Sequence, residues 1–153
     1  MMSKILMVCL GNICRSPLAE GILKSKVNHL DVEVDSAGTA AYHLGEQPDI
    51  RSIEIAKKYS IDLSNQRARQ FSINDFNEFD KIYAMDTSNY ANIIALARDE
   101  SDRDKVDLIL NEGNPKSFES VPDPYYGGSN GFQDVFQMLD DACNKIVENL
   151  EKR

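Results

Sequence analysis

A cysteine and an arginine lie six positions apart in residues 9–16, which read CLGNICRS. This segment follows a short apolar run at residues 5–8 and precedes a helical pattern. A loop between Cys9 and Arg15 can turn successive backbone N–H groups inward and so bind an anion at a helix N-terminus. The same positive environment favours the nucleophilic thiolate form of Cys9, and Arg15 can hold two oxygens of a phosphate. The spacing therefore predicts phosphoryl transfer through a cysteinyl-phosphate.

The residues between Cys9 and the following helix suit such a loop. A cysteine at a strand end more often packs as a small hydrophobe, so the prediction depends on the residues around it. Asn12 tolerates the left-handed backbone region, and Gly11 suits the same tight geometry. Ser16 can both cap the helix and donate a hydrogen bond to the thiolate. The predicted phosphate-binding residues are Leu10, Gly11, Asn12, Ile13, Cys14, Arg15 and Ser16.

Apolar periodicity predicts the elements that position this loop. Residues 4–8 read as a buried strand, and residues 17–28 read as a helix with Ser16 as its N-cap and Pro17 in its first position. The apolar face of that helix comprises Leu18, Ile22, Leu23 and Val27. The other predicted elements are strands at 32–35, 81–85 and 106–110, helices at 49–59, 88–98 and 131–151, a Ser-Ala-Gly loop after residue 35, and a long loop at 111–131.

Strands that alternate with helices predict a parallel sheet with helices on both faces. In such sheets, ligands bind beyond the carboxyl ends of the strands, near a switch in strand order. The Cys9 loop leaves the carboxyl end of the first strand, where that rule expects a site. The last helix carries one continuous apolar stripe, formed by Phe132, Val135, Phe136, Leu139, Cys143, Ile146, Val147 and Leu150.

Length, charge and composition limit the classes of function. A chain of 153 residues, 42% of them hydrophobic, predicts a single domain spanning residues 1–153. The net charge of −8 disfavours binding to nucleic acid or to a membrane surface, so any anion must be held locally. No apolar stretch approaches the roughly 18 residues of a membrane span, and nothing resembles a signal peptide. Three cysteines do not make a disulfide framework, so we expect a reduced, cytoplasmic location.

The two most specific motifs are CLGNICRS at residues 9–16 and DPYY at residues 123–126. With DSAG at 35–38, ARQ at 68–70 and MDTSN at 85–89, they make the chain resemble the low-molecular-weight protein tyrosine phosphatases over essentially its whole length. The resemblance implies a flavodoxin-like three-layer α/β/α fold with a four-stranded parallel sheet. It also implies hydrolysis of a phosphotyrosine-bearing protein or an aryl phosphate, with inorganic phosphate or a similar oxyanion in the loop and no metal or cofactor.

The resemblance assigns roles to further residues. Asp123 would be the general acid that protonates the leaving aryl oxide and later activates water, although an aspartate before proline is also typical of a turn. Ser16 would help the sulfur to leave in the second step. Cys14 would form a reversible disulfide with Cys9, or would simply pack under the loop. The implied pocket walls are Leu10, Tyr42, Tyr125 and Tyr126.

One position departs from the family pattern. Some relatives have a histidine in the network that supports the loop serine, where this chain has Gln66. Ser36 would keep its part of that network. His29 and His43 have no evident partner in the sequence, and we expect neither to be catalytic.

Three alternative functions stay open. Protein arginine phosphatases share the fold and the loop, but the resemblance there points to a threonine in place of Ile13. Thiol-dependent arsenate reductases need further cysteines, and Cys143 lies on the apolar stripe of the last helix. A phosphate-binding or redox-sensing module would use Cys9 and Cys14 without turnover and would not need Asp123. We expect the protein to be a monomer or a weak dimer.

Overall fold

Four parallel strands form the sheet in the computed structural model, which describes residues 3–114, 117–124 and 130–152. In chain order, the strands are β1 (Ser3–Cys9), β2 (Val32–Gly38), β3 (Lys81–Ala84) and β4 (Val106–Leu108). They lie side by side in the order β2-β1-β3-β4. This is the order of a flavodoxin-like sheet, so the predicted fold class is confirmed.

Helices connect the strands and cover both faces of the sheet. In the described part of the chain they are α1 (Arg15–Lys26), α2 (Ile50–Lys57), α3 (Asp75–Glu78), α4 (Thr87–Ile94), α5 (Glu100–Asp104) and α6 (Gly131–Glu151). A 3₁₀ helix at Ile109–Glu112 follows β4 directly. Residues of α1, α2 and α6 share one apolar cluster, and residues of α3 and α4 share another. The sheet therefore lies between two helical layers.

The central strand supplies both clusters, because successive side chains of a strand point to opposite faces. Ile5 and Met7 of β1 pack in the cluster of α1, α2 and α6. Leu6 and Val8 pack in the other cluster, where Phe76 of α3 is fully buried. Full burial of one side chain of this size contributes about 1.5–3 kcal/mol. The two clusters together fix β1, and with it the position of the loop that follows.

β1 lies where the strand order reverses, with β2 on one side and β3 on the other. The chain leaves its carboxyl end at Cys9 and turns within a few residues into α1. The backbone N–H groups of Thr39 and Ala40 donate to the carbonyls of Cys9 and Leu10, both at 2.9 Å. The chain beyond β2 is therefore attached to the start of the loop at the switch point.

The start of α1 differs from the sequence prediction. The helix begins at Arg15 with Cys14 as its N-cap residue, so Ser16 is already the second helical residue. The predicted N-cap role of Ser16 is wrong, because its hydroxyl contacts the Cys9 sulfur instead. Pro17 occupies the third helical position rather than the first. It is tolerated there because the first four N–H groups of a helix have no partner inside that helix.

β2 also extends beyond its predicted end. The Ser-Ala-Gly loop predicted after residue 35 is wrong, because β2 continues to Gly38, which pairs with Cys9 of β1. Beyond the sheet, the Gly38 N–H donates to the Arg69 carbonyl at 2.8 Å, and the Gly38 carbonyl accepts from the Phe71 N–H at 2.7 Å. These hydrogen bonds keep the end of β2 extended although its sequence is typical of a loop.

The helices of the second half agree with the prediction in part. The predicted helix 88–98 corresponds to α4, but its last four residues are wrong because α4 ends at Ile94. The sequence analysis missed the next helix, α5, which Asp99 caps by accepting from the Asp102 N–H. α6 has the predicted bounds, and its apolar stripe packs on α1 and α2. Within the described ranges, no helix is long and apolar enough to cross a membrane.

Gly38 lies where the loop backbone passes closest to β2. A Cβ atom at this position would lie 2.7 Å from the Leu10 carbonyl oxygen and 3.1 Å from the Asn12 nitrogen. Both are backbone atoms and cannot rotate away. We therefore expect Gly38→Ala to lower the free energy of unfolding by about 1–3 kcal/mol, measured by urea denaturation.

Gly113→Ala is the matched control for this prediction. A Cβ atom at Gly113 would meet no heavy atom within 4 Å, and its backbone is already right-handed helical, with φ of −88°. We expect a change below about 0.5 kcal/mol for this variant. Equal losses in the two variants would show that the close approach at Gly38 is not the cause.

Candidate active site

A cavity of about 240 Å³ opens at the carboxyl end of β1. It is lined by Cys9, Leu10, Gly11, Ile13, Cys14, Arg15, Tyr42, His43 and Asp123. The structure thus brings together the predicted nucleophile, phosphate-binding arginine and general acid from distant parts of the chain. The predicted walls Tyr125 and Tyr126 lie outside the described residues, and their role stays a prediction.

Cys9 is fixed by the sheet and oriented by a hydroxyl. It is the last residue of β1 and is only 3% exposed. Its Sγ lies 3.0 Å from Ser16 Oγ on the first turn of α1. Cys14 is also buried, and the structure has both cysteines as thiols. A disulfide between Cys9 and Cys14 stays a prediction.

Asn12 connects the loop to its surroundings through both ends of its side chain. Its φ of 58° lies in the left-handed region that was expected of this residue. Its Oδ1 accepts the backbone N–H of Arg69 at 3.0 Å, and its Nδ2 donates to Ser16 Oγ and to Ser36 Oγ, both at 2.9 Å. The contact with Arg69 distinguishes the amide oxygen from the amide nitrogen, so the other two bonds have a defined direction.

A buried carboxylate ends this series of hydrogen bonds. Ser36 Oγ donates to Glu20 Oε1 at 2.6 Å, and Lys24 Nζ donates to Glu20 Oε2 at 2.5 Å. Glu20 lies on α1 and is 3% exposed, so its charge needs these two donors. Because a carboxylate can only accept, the Ser36 hydroxyl hydrogen must point towards Glu20.

The hydrogen bonds between Glu20 and the sulfur therefore run outward from the Asn12 amide, through Ser36 to Glu20 and through Ser16 to Cys9. Both N–H bonds of the Asn12 amide are used as donors, so Ser16 Oγ accepts one of them. The hydrogen of the Ser16 hydroxyl is then left to point at the Cys9 sulfur. We call this series the hydroxyl relay; its members are Cys9, Ser16, Asn12, Ser36 and Glu20.

Arg69 holds the outer side of Asn12 and is itself held by two carboxylates. Its Nη1 and Nη2 donate to Asp75 at 3.2 and 3.1 Å, and its Nε donates to Asp35 at 3.3 Å. Burial lowers the pKa of Arg69, but the hydrogen bonds and charges of Asp75 and Asp35 outweigh burial and raise the pKa above its ordinary value. The arginine stays charged, and its backbone N–H is a fixed donor to Asn12.

Arg15 is positioned by groups from two other parts of the chain. Its Nη1 donates to Asp86 Oδ2 at 2.7 Å and to the Val121 carbonyl at 2.9 Å. Asp86 is in turn fixed because its Oδ1 caps α4 by accepting the Asn89 N–H at 2.7 Å. Arg15 is 7% exposed, so a guanidinium is held at the edge of the cavity with little freedom to move.

Asp123 lies on a segment that is attached to the sheet and to α6. Two residues earlier, the Val121 N–H donates to the Met85 carbonyl at 2.8 Å, just beyond β3. On the other side, a Cβ atom at Gly131 would lie 2.5 Å from the Pro124 carbonyl oxygen, so the start of α6 packs directly on that backbone. The half-buried Asp123 is therefore held at the cavity from both sides.

The sequence analysis missed three residues that hold the site: Glu20, Asp86 and Arg69. Glu20 had a local signal, because it follows Ser16 by four positions and so shares its helix face. Asp86 and Arg69 lie in the MDTSN and ARQ stretches, but nothing in the sequence shows which loop residue each one contacts.

Gln66 lies beside the hydroxyl relay and not within it. Its Nε2 donates to the Pro17 carbonyl at 3.1 Å, whereas Ser36 bonds directly to Glu20. Its Oε1 is buried without a hydrogen-bond partner among the described residues. Gln66 therefore supports the start of α1.

Both histidines have partners, which corrects the expectation from the sequence. His43 Nδ1 lies 2.7 Å from Glu46 Oε2, and His29 Nε2 lies 2.8 Å from Glu151 Oε2. His43 also lines the cavity, where its ring lies against Gly11. A Cβ atom at Gly11 would lie 3.0 Å from that ring, so the glycine leaves room for it.

The sequence and the fold of this chain are both similar to those of one family of known proteins. Residues 4–153 match the family model described as low molecular weight phosphotyrosine protein phosphatase. The low molecular weight phosphotyrosine protein phosphatase of Schizosaccharomyces pombe is 41% identical over 152 residues, covering 96% of each chain. The chain therefore belongs to the low molecular weight phosphotyrosine protein phosphatase family.

Solved structures agree with this assignment. A protein tyrosine phosphatase from Entamoeba histolytica with Hepes in the active site is 39% identical, with a TM-score of 0.88, covering 98% of this chain and 97% of that one. The Drosophila arginine phosphatase DARP is 33% identical, with a TM-score of 0.87, covering 96% and 97%. The fold is thus shared by proteins named for two different phosphoryl substrates.

The hydroxyl relay makes a prediction for Ser36. In Ser36→Ala, the buried Glu20 would lose a donor and the Asn12 amide would lose an acceptor. We expect the free energy of unfolding to fall by about 1–3 kcal/mol, measured by urea denaturation. Ser25→Ala is the control, because the Ser25 hydroxyl donates to the Ile22 carbonyl within α1. A loss as large in the control would argue against a special role for the relay.

A second prediction concerns Arg15 and separates the effect of its planar guanidinium shape from the effect of its positive charge. Arg15→Lys keeps the positive charge, but an ammonium cannot bond Asp86 and two phosphate oxygens in the same fixed plane. We expect the dissociation constant for inorganic phosphate, measured by calorimetry, to rise about 10- to 100-fold. Arg98→Lys is the control, because the Arg98 side chain is 43% exposed and pairs with Asp102 outside the cavity lining. An unchanged affinity in Arg15→Lys would contradict the proposed phosphate contact.

Proposed function

We propose that this chain hydrolyses phosphotyrosine in proteins, and small aryl phosphates, through a cysteinyl-phosphate intermediate. The observation that carries the proposal is the convergence of Cys9, Arg15 and Asp123 on one small cavity. Family membership supports the same chemistry, since the matched family model is described by phosphotyrosine protein phosphatase activity.

In the first step, the Cys9 thiolate attacks the phosphorus, and an S–P bond forms as the bond from phosphorus to the tyrosine oxygen breaks. Asp123 gives its proton to the leaving oxygen, so that a neutral phenol departs. The remaining N–H groups of Arg15 and the backbone N–H groups of the loop hold the three non-bridging oxygens. They stabilise charge that must stay on those oxygens throughout the transfer.

In the second step, water attacks the phosphorus of the cysteinyl-phosphate. Asp123, now a carboxylate, takes a proton from that water, and the S–P bond breaks to release inorganic phosphate. The electron pair returns to sulfur, where Ser16 Oγ at 3.0 Å is placed to donate to the thiolate. The hydroxyl relay thus supports the sulfur both as nucleophile and as leaving group.

The shape of the cavity favours an aryl phosphate over a shorter phosphoserine. The sulfur of Cys9 is at the buried end, with the residue 3% exposed, while Leu10 and Tyr42 at the mouth are 45% and 75% exposed. A flat ring spans that depth and contacts both walls, whereas a serine side chain is shorter. Tyr125 and Tyr126 stay predicted as further walls.

Protein arginine phosphatase activity is the second candidate, because the Drosophila arginine phosphatase has a closely similar structure. Ile13 lies in the lining of the cavity, beside the place of the substrate group. A branched apolar side chain favours contact with an aromatic ring over a charged guanidinium, which would lose its hydration there. This is why we place phosphotyrosine first.

Arsenate reduction is less well supported, because it requires a further accessible thiol. Cys143 is fully buried in α6, with its Sγ 3.9 Å from the Ala19 carbonyl oxygen. Burial raises the pKa of the Cys143 thiol, which keeps it protonated and a poor nucleophile. A pure binding module would not need Asp123 in the cavity. The cytoplasmic location and the monomer or weak dimer stay predictions from the sequence.

Initial rates on a phosphotyrosine peptide, a phosphoarginine peptide and phenyl phosphate, without metal and with reductant, test the proposal. We expect turnover of the first and third substrates, and none in Cys9→Ser. In Asp123→Asn, we expect kcat on phenyl phosphate to fall about 10²- to 10⁴-fold, because the leaving oxygen loses its acid. The loss should be smaller on para-nitrophenyl phosphate, whose leaving group needs protonation less.

Cys143→Ala is the control for Cys9→Ser, because it changes a buried cysteine outside the cavity. Asp104→Asn is the control for Asp123→Asn, because it changes an exposed aspartate outside the cavity. Both should keep the wild-type rates wherever their unfolding curves show a folded protein. Turnover confined to the phosphoarginine peptide would establish the second candidate instead. Absence of turnover on every substrate would contradict both candidates.

A further inference from the structure

The first turn of α2 is attached to the loop that follows the nucleophile. Asp49, the N-cap residue of α2, donates its backbone N–H to the Ile13 carbonyl at 2.7 Å. The fully buried Ser52 donates from its hydroxyl to the Cys14 carbonyl at 3.4 Å. Both carbonyls belong to the loop between β1 and α1. The position of α2 is therefore set by the loop through two hydrogen bonds.

The same helix is attached to the first two turns of α6 by its side chains. The Arg51 guanidinium lies over the Phe132 ring, with Cζ 4.8 Å from the ring centroid. Just beyond α2, the Tyr59 ring stacks on the Phe136 ring at a centroid distance of 4.2 Å. The Tyr59 hydroxyl also accepts from Gln133 Nε2 at 2.8 Å. Cation–π contacts and stacked rings are both favourable, so α2 holds α6 as well as the loop.

Arg51 is held in a defined orientation by Asp49. Its Nε and Nη2 donate to the two carboxylate oxygens of Asp49, both at 3.1 Å. The Asp49 side chain is only 12% exposed, and its Oδ1 also accepts the Arg51 backbone N–H at 2.9 Å. Two parallel hydrogen bonds fix the plane of a guanidinium. The contact with Phe132 is therefore directed by the residue whose backbone also holds the loop.

The start of α6 in turn packs on the backbone that carries Asp123. A Cβ atom at Gly131 would lie 2.5 Å from the Pro124 carbonyl oxygen, so no side chain separates the two segments. Phe132 is the next residue of α6, and a change in where its ring is held shifts the backbone on which Pro124 packs. Asp123 directly precedes Pro124 and lines the cavity. The position of its carboxyl group therefore depends on the first turn of α6.

We propose that Arg51 is a positioning residue, which sets the place of the Asp123 carboxyl group relative to the Cys9 loop by holding Phe132. The inference rests on the proposed function, in which Asp123 is the general acid. Arg51 is not among the residues that line the cavity, so it acts through the contacts of α2 and α6. A misplacement of about 1 Å can cost about 100-fold in rate, so even a small shift of the acid is measurable.

The leaving group of the substrate reports the position of the acid. Phenyl phosphate needs protonation of its leaving oxygen, whereas para-nitrophenyl phosphate needs it less. Arg51→Met keeps an unbranched side chain and removes the charge. We expect kcat/KM to fall about 10-fold on phenyl phosphate and less than about 2-fold on para-nitrophenyl phosphate. Partial unfolding or weaker phosphate binding would lower both values equally, and equal losses would overturn the positioning role.

A double-variant cycle tests whether Arg51 acts through Phe132. Phe132→Leu removes the ring and keeps an apolar side chain, and it should lower kcat/KM on phenyl phosphate selectively, as Arg51→Met does. If the two residues act as one unit, the double variant should be no worse than the more affected single variant. Losses that multiply in the double variant would overturn the proposal.

Arg103→Met is the matched control for Arg51→Met. The Arg103 side chain is 43% exposed and pairs with Glu100 on α5, whereas the Arg51 side chain is 47% exposed and pairs with Asp49. Both variants therefore remove a half-exposed arginine and its ion pair. We expect Arg103→Met to keep the wild-type kcat/KM on both substrates.

Amide hydrogen exchange separates this inference from the proposed function. A wild type that hydrolyses neither ester would overturn the proposed function, but it would leave the exchange measurement intact. The Val121 N–H donates to the Met85 carbonyl two residues before Asp123. In Arg51→Met, we expect this amide to exchange about 10-fold faster relative to the Leu6 amide of the central strand. An unchanged ratio would overturn the coupling through α2.

Discussion

The site depends on the side chain of Asn12, which ties the loop to α1, to β2 and to the backbone of Arg69. Its own backbone lies in the left-handed region, which costs of order 1–3 kcal/mol for residues other than glycine. Each hydrogen bond contributes about 0.5–1.5 kcal/mol net, so three of them offset that strain. The loop is therefore held in its shape by folding, before any ligand binds.

Preorganisation of this kind is what an acidic protein requires in order to hold a phosphate as we propose. The net charge of −8 offers no general attraction, so the attraction must come from groups fixed at short range. Arg15 is almost fully buried and would be unstable there without an anionic partner, which Asp86 supplies. The cost of removing the guanidinium from water is met during folding. A phosphate bound as we propose would meet a cation that is already dehydrated and oriented.

The parts of the site that follow from local sequence were predicted, and the parts that depend on tertiary contact were not. The spacing of Cys9 and Arg15, the left-handed Asn12 and the parallel sheet all follow from short-range pattern. For Ser16 the predicted contact with the Cys9 sulfur is present, whereas its predicted role as a helix cap is wrong, because α1 begins one residue earlier, at Arg15. The contact from Arg15 to Asp86 joins residues 71 positions apart, and no periodicity reports such a pair.

The attachment of segment 39–50 to the phosphate-binding loop leaves its exposed side chains free to differ. Its attachment to the loop uses backbone N–H and carbonyl groups, which are the same whatever the side chains are. Leu44 and Ile50 in this segment are each more than half exposed. Substitution there would change the protein surface while the loop keeps its hydrogen bonds. Asn12 and Gly38 cannot vary in this way. The Asn12 side chain holds the loop through its hydrogen bonds, and any side chain at Gly38 would collide with the loop backbone.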